Sequence, residues 1–595
     1  MIGDCETAAL VGRNGSIDWL CWPRFDSGAC FAALLGGAEH GRWQIAPRDG
    51  VTSSRRRYRQ DTLILETDFE TADGAVTVID FMPIERSRVS NLVRIVVGRR
   101  GTLALRSELV LRFDYGALVP WVTRLSDGQL RAIAGPDMVT LQSDAESHGE
   151  DLTTVADFSV AAGQRVAFVL SYCASHLPPP PVVDAEQSLR ETETYWRDWS
   201  AKCSYRGEWQ EAVRRSLITL KALTYAPTGG LVAAPTTSLP ELLGGVRNWD
   251  YRYCWLRDST LTLLALLDAG YTEEAKAFRD WLLRAVAGQP SALRIMYGVA
   301  GERRLPESSL DWLPGYAGSR PVRIGNAADS QLQHDVFGEV MDVLHQAREA
   351  GIASGEADWS LQVALLGHLE QVWREPDHGI WEVRAEPQHF THSKVMAWVA
   401  VDRSIRSAEQ FGLAGPLARW RALREEIKRD VCEHGYDAEL GSFVQRYGGK
   451  ELDASALLFP LVGFLPPDDP RVRSTLRTIE RELTVDGLVL RYRTDRTRDG
   501  LPEGEGVFLP CSFWLADNLI LAGREADARR LFTRLLDLRS DVGLLAEEYD
   551  PLQRHQLGNY PQAFSHLALV GTALNLARGP NPLEQRPRDS ATRTA

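Results

Sequence analysis

No pair of cysteines stands at CxxC spacing. The eight cysteines, Cys5, Cys21, Cys30, Cys173, Cys203, Cys254, Cys432 and Cys511, are scattered through 595 residues. That excludes a disulfide-stapled scaffold and a ribbon-type zinc site, and it fits free thiols in a reducing compartment. Long apolar runs are missing too. Nowhere do about eighteen apolar residues follow one another, and Met1–Leu10 has no basic segment leading into an apolar one. Neither a membrane span nor an export signal is expected, and the expected compartment is the cytoplasm. Positive charge is short: the formal net charge of −13 argues against nucleic acid and against an anionic membrane surface as partners. The chain also lacks a P-loop, a nucleotide-binding glycine fingerprint, HExxH and GxSxG, which weakens kinase, dehydrogenase, metalloprotease and serine-esterase readings. No cofactor and no metal are expected.

What is present is a globular composition, 44% hydrophobic and 25% charged, in a chain long enough for two or three domains. Seventeen Trp and sixteen Tyr are a heavy aromatic load. Core packing uses most such rings, and sugar sites use others as platforms.

The first third reads as β-structure. Thr7–Val11 and Ser16–Leu20 flank Asn14-Gly15, a strong hairpin signal because both residues tolerate positive φ. The pattern repeats: Thr62–Glu70 and Ala75–Ile84 surround Asp73-Gly74, Asn91–Val97 and Leu103–Phe113 surround Gly98 and Gly101, and Phe158–Val160 and Arg165–Tyr172 surround Gly163. Strands so dense, with no helical pattern between them, imply an antiparallel sandwich. Pro178–Pro181 then fixes an extended boundary. The domains expected are a β-sandwich over 1–181, a linker helix within 182–207, a helical domain over 208–578 and a disordered tail over 579–595.

Within the helical part the apolar period is about 3.6. It marks helices near 208–225, 257–270, 272–287, 328–350, 358–374, 391–411, 415–434, 453–463, 468–483, 509–522, 525–537 and 561–577. Twelve helices in six hairpins can close into a double-layered barrel. The long loops 226–256, 288–327, 375–390, 484–508 and 538–560 would then converge on one mouth, and loops of that length usually carry function.

Each loop holds a distinctive cluster. In Asp377–Arg384, Glu382 follows Trp381; an indole that desolvates a carboxyl group raises its pKa and keeps a proton available. The loop 244–259 packs Trp249 and Trp255 with Arg257 and Asp258 just ahead of an apolar helix. Taken alone, Asp258 or Ser259 reads as a helix N-cap; the charge and aromatic density favour a site in which Arg257 forks towards a diol. Arg491-Tyr492-Arg493 precedes Glu503 and Glu505, for which loop salt bridges suffice. Glu547, Glu548 and Asp550 crowd a second acidic loop; their repulsion leaves one carboxylate ready to act as a base while another is partnered. Glycoside hydrolysis needs that division of labour between two carboxyl groups. His334 and Asp335 are adjacent on a helix and read as a solvated face rather than a dyad. His389 and His392 read as polar residues at a helix start rather than metal ligands.

The segments IGDCETAALVGRNGSIDWLCWPRFDS, NWDYRYCWLRDS, HGIWEVR, RYR at 491–493 and AEEYDP together resemble glycoside hydrolase family 15, the glucoamylase and trehalase family, over nearly the whole chain. The resemblance implies an N-terminal β-sandwich followed by an all-α (α/α)6 barrel, with inverting hydrolysis of α-glucosidic bonds. It places Glu382 as general acid and Glu547 as general base. Because Glu548 stands where fungal glucoamylases have Gln, both Glu547 and Glu548 stay candidates for the base. It places Arg257, Asp258, Trp249, Trp381, Arg491, Tyr492 and Glu548 around the sugar. The partner implied is a small neutral α-glucosaccharide. The substrate expected is the non-reducing end of a short α-gluco-oligosaccharide, with α,α-trehalose as the alternative; a disaccharide phosphorylase or a silent sugar-binding protein ranks lower.

Overall fold

The structure, a computed structural model, describes residues 1–84, 89–352 and 355–578; the tail expected over 579–595 lies outside the described residues. The β-part is built on one strand of 21 residues, Ser90–Val110. Its first half pairs antiparallel with Gly74–Phe81 and with Arg165–Ala174. Its second half pairs with Arg42–Pro47 and with Thr153–Ala161. One strand therefore belongs to two layers, where the sequence suggested two strands around Gly98 and Gly101. The glycines make a crossing instead of a hairpin. A Cβ on Gly98 would lie 2.0 Å from the Ala161 carbonyl oxygen, one on Gly101 2.0 Å from that of Asp73, and Gly101 sits at φ +65°, a conformation open to glycine. Likewise Thr153–Ala161 and Arg165–Ala174 do not pair with each other across Gly163; each follows one half of the long strand.

Period two explains what each face of the first half buries. Leu92 and Val96 join the core between the layers. Val93, Ile95 and Val97 face outward and, with Ile79 and Phe81, are covered by Ala185 and Leu189 of helix α1, Ala185–Ala201. The linker helix is thus also a third layer on the sheet, started by Asp184, whose carboxylate accepts the backbone N–H groups of Glu186 and Gln187.

Twelve further helices follow: α2 Gln210–Ala222, α3 Ser259–Asp268, α4 Thr272–Val286, α5 Asp335–Glu349, α6 Glu356–Val372, α7 Thr391–Phe411, α8 Leu417–His434, α9 Leu458–Leu461, α10 Pro470–Glu482, α11 Leu509–Leu521, α12 Glu525–Asp537 and α13 Ala563–Arg578. The windows read from periodicity agree to within a few residues in ten cases. Of the other two, α5 starts only at Asp335, after a separate 3-10 turn at Ala327–Ser330. The segment expected over 453–463 is divided into a 3-10 turn, Ala454–Leu457, and the single turn of α9, and Gly463 at φ +78° ends it.

Helices α3, α5, α7, α9, α11 and α13 form a closed inner ring: α3 packs on α5, α5 on α7, α9 on α11, α11 on α13 and α13 back on α3. Between α7 and α9, Arg403 donates to the Val462 carbonyl and Trp398 meets Phe464 edge-on. The even-numbered helices lie outside them. The sequence explains the sorting, because α5 and α11 are buried nearly all round while α8 and α12 bury one stripe. Every inner helix enters from an outer one through a long loop, so all six N-termini meet at one end. The sandwich braces that end: Trp19 Nε1 donates to the Pro235 carbonyl at 2.8 Å, Arg252 to that of Ser27 at 2.8 Å and Trp312 to that of Tyr115 at 3.0 Å. Among the described residues all eight cysteines are unpaired, and no helix is long and apolar enough to cross a membrane.

Candidate active site

Four of the five long loops line one narrow pocket. The loop before α3 supplies Glu241, Arg247, Trp249 and Tyr251, with Arg257 at the helix start. The loop before α7 supplies Trp381, Glu382 and Arg384, that before α11 supplies Arg491, Tyr492 and Asp499, and that before α13 supplies Glu547. The fifth loop, 288–327, does not reach the pocket; it backs it, with the Arg323 guanidinium 4.5 Å from the Trp249 ring centroid. Seven of the nine residues proposed from sequence are therefore neighbours. Asp258 and Glu548 stand just behind, on Arg257 and Arg491.

Glu382 adopts φ +58°, a left-handed conformation that costs a non-glycine residue roughly 1–3 kcal/mol. The surroundings enforce it. Trp381 is buried, stacks at 6.2 Å on Trp514 and gives its indole N–H to Asp453 at 2.9 Å, so the loop is pinned and Glu382 turns towards the pocket, with 17% of its side chain exposed. Trp255 Nε1 donates to Glu382 Oε1 at 2.6 Å, and Arg257 Nη1 lies 3.3 Å from the same oxygen. Burial pushes the Glu382 carboxyl up from the ordinary range, and Arg257 and the Trp255 bond hold it back.

The second carboxyl is held by the same motif. Tyr251 donates its hydroxyl to Glu547 Oε1 at 2.7 Å. Its ring meets that of Trp255 edge-on at 5.2 Å, so two touching aromatics of one extended segment hold one oxygen of each acid. Tyr251 and Trp255, an even number of residues apart, share a face as period two dictates; that pattern in NWDYRYCW was the signal by which they could have been found. Glu547 Oε2 has no hydrogen-bond partner among the described residues. Gly558, at φ +77°, leaves it room, since a Cβ there would come within 2.7 Å of Oε2. Burial, then the neighbouring Glu241 charge, push Glu547 up to about 8.

Glu548 faces the other way. It accepts the Gly506 N–H at 2.7 Å and lies 3.1 Å from Arg491 Nη2. That nitrogen also meets Glu241 at 2.8 Å and Glu505 at 2.7 Å. The three carboxylates approach within 4.8 Å of one another, a donor set suited to a cation, and the Arg491 guanidinium supplies it. Burial alone would pull Arg491 down; Glu505, Glu241 and Glu548 outweigh it and keep the group charged. Glu505, read as a loop salt bridge, is one, inside the pocket wall. Tyr492 gives its hydroxyl to Asp499 at 2.8 Å, and Arg247 reaches the same oxygen at 2.7 Å. Trp249 is half-buried, with the Arg384 guanidinium 4.6 Å from its ring centroid as well.

Asp258 stands at the start of α3, but its carboxylate makes no capping bond. It accepts from Arg257 Nε at 3.0 Å instead, so the acid is not spent on the helix. Glu241, alone after Pro240, carried no signal of its own.

One expectation is overturned. His334 and Asp335 are fully buried, not a solvated face, because α5 belongs to the inner ring and its first turn lies beneath the pocket. Burial pushes His334 down to about 3, and burial together with Asp377 pushes Asp335 up to about 7. His392, at the start of α7, is buried as well and pushed down to about 3.

Residues 207–574 match the family described as Glycosyl hydrolases family 15, and residues 1–196 match Trehalase-like, N-terminal. A protein named trehalase from Mycobacterium tuberculosis is 41% identical, over 97% of this chain and 89% of that protein. Another named trehalase, from Thermoplasma volcanium, is 36% identical over 97% and 92%. The crystal structure of a bacterial glucoamylase complexed with acarbose superposes with a TM-score of 0.73 at 13% identity, covering 98% of this chain and 95% of that one; it shares the fold.

Asp335 has neither oxygen hydrogen-bonded among the described residues, and its folded-state pKa stands above the unfolded value. Folding then retains a proton, so this group's contribution to stability is full below pH 4 or so and is lost as pH rises towards 7. Asp335→Asn removes the loss. The denaturation midpoint of the variant should match the parent at pH 4 and exceed it at pH 8, by more than about 1 kcal/mol; equal midpoints at both pH values would count against a buried, unpaired carboxyl.

Proposed function

This chain belongs to glycosyl hydrolase family 15, and from that premise we propose that it hydrolyses α,α-trehalose with inversion. It is a glycoside hydrolase. Between the two substrates weighed from sequence, the relatives named trehalase, which align along nearly the whole chain, and the trehalase-like match of the N-terminal domain favour trehalose over a short α-gluco-oligosaccharide. The observation that carries the mechanism is the pair of carboxyls in one pocket, each held at one oxygen by an aromatic donor, with Glu547 Oε2 without a hydrogen bond among the described residues.

In this reading Glu382 protonates the oxygen joining the two glucose units, and Glu547 takes a proton from the water that attacks the sugar carbon from the opposite face. Arg257, held by Asp258, and Arg491, held by Glu241, Glu505 and Glu548, present fixed donors to the sugar hydroxyls. Trp249, Trp381 and Tyr492 shape the walls. Between Glu547 and Glu548, Glu547 is the base: it lines the pocket with an unengaged oxygen, whereas Glu548 is committed to Gly506 and Arg491. Burial and Glu241 push both carboxyls up from the ordinary range.

The substrate test is kcat/KM for trehalose, maltose, isomaltose and maltotetraose side by side. Trehalose is expected to lead, and Glu382→Gln and Glu547→Gln each to lower its kcat by roughly 10²–10⁴-fold. A lead for maltotetraose would move the chain to the glucoamylase reading.

The reacting form carries a proton on Glu382 and none on Glu547. Glu241 opposes it, because its negative charge favours the protonated Glu547. Glu241→Gln lowers the pKa of Glu547, so the pH profile of kcat/KM should shift towards acid, whatever happens to its height. A profile that stays in place or moves towards base would rule out this coupling.

A further inference from the structure

A large open cavity lies at the other end of the barrel, where α7, α9 and α11 finish. Its volume is about 820 Å³. Six cationic side chains line it, Arg403, Arg406, Lys428, Arg473, Arg477 and Arg524, with one carboxylate, the exposed Asp468. Three of the six are already neutralised. Arg403 is bound by Asp342 and Asp402, Arg406 by Asp402, and Arg524 by Glu480 and Asp527.

Arg473 and Arg477, both exposed, form no ion pair among the described residues, and Lys428 is reached only by the longer-range attraction of Asp469, which is itself paired with Arg471. Lys428 comes from α8; Arg473 and Arg477 stand one turn apart on α10, a spacing at which like charges repel. Three unpaired cations around one concavity, in a chain with an acidic excess, concentrate positive potential there. Beside them Pro466, Pro467, Leu521 and Ala522 give the cavity an apolar wall.

We propose that this cavity binds a phosphorylated small molecule, with the phosphate on Lys428, Arg473 and Arg477 and the organic body against Pro466, Pro467 and Leu521. Three cations match the charge of a phosphate better than that of a single carboxylate, and two guanidinium forks suit its tetrahedral oxygens. The site is independent of the sugar pocket, since no residue lines both.

Calorimetric titration of the full chain at low salt with glucose 6-phosphate, ATP and inorganic phosphate tests it. At least one organic phosphate should bind saturably, at least tenfold tighter than inorganic phosphate. Arg473→Ala with Arg477→Ala, and separately Lys428→Ala on the facing helix, should each weaken that binding at least tenfold while the circular dichroism spectrum and melting midpoint hold. No saturable binding of either organic phosphate, binding unchanged in both variants, or equal affinity for inorganic phosphate would each overturn the assignment.

Discussion

More acid than base is buried at the mouth of this barrel, and the rest of the site follows from that imbalance. Glu241, Glu382, Glu505, Glu547, Glu548, Asp258 and Asp499 crowd around Arg247, Arg257 and Arg491. A low-dielectric pocket cannot hold so many like charges ionised together. Burial pushes Glu241, Glu382, Glu547, Glu548 and Asp258 up from the ordinary carboxylate range, and the guanidinium or hydrogen-bond partners of each hold it back. A proton donor and a proton acceptor can then stand in one pocket at one pH.

The architecture makes the crowding tolerable. Six inner helices point their N-termini at the mouth, and the positive ends of their dipoles favour negative charge there. Among the described residues the sandwich contributes no side chain to the pocket lining, yet it holds the segment that does, through the bonds of Trp19 and Ser27 to the loop carrying Tyr251 and Trp255. The two aromatics position both acids, so a displacement of that loop would disturb donor and acceptor together.

Much of this was legible in the sequence, for identifiable reasons. Helices of the outer ring show a clean 3.6 period because one stripe is buried. Glu382 and Glu547 stand in loops too long and too charged to be mere connectors. Where the sequence misled, tertiary context was the cause. Gly98 and Gly101 read as turn residues because a turn and a layer crossing both demand the absent Cβ, and only the partner strands distinguish them. His334 and Asp335 read as surface because polar side chains suit exposure, whereas an inner helix start beneath a polar pocket buries polar groups. Glu241 was invisible, since its role is set by Arg491, 250 residues away.

In the proposed mechanism Glu382 and Glu547 act on opposite faces of the same sugar. The most direct test is to follow trehalose hydrolysis by proton NMR at high enzyme concentration, before the anomers equilibrate. Inversion at one carbon releases one β-glucose from the attacked unit and one α-glucose from the leaving unit, so the two anomers should appear together in equal amounts from the first spectrum. If the first glucose seen is α alone, the configuration is retained, and the division of labour between Glu382 and Glu547 is wrong.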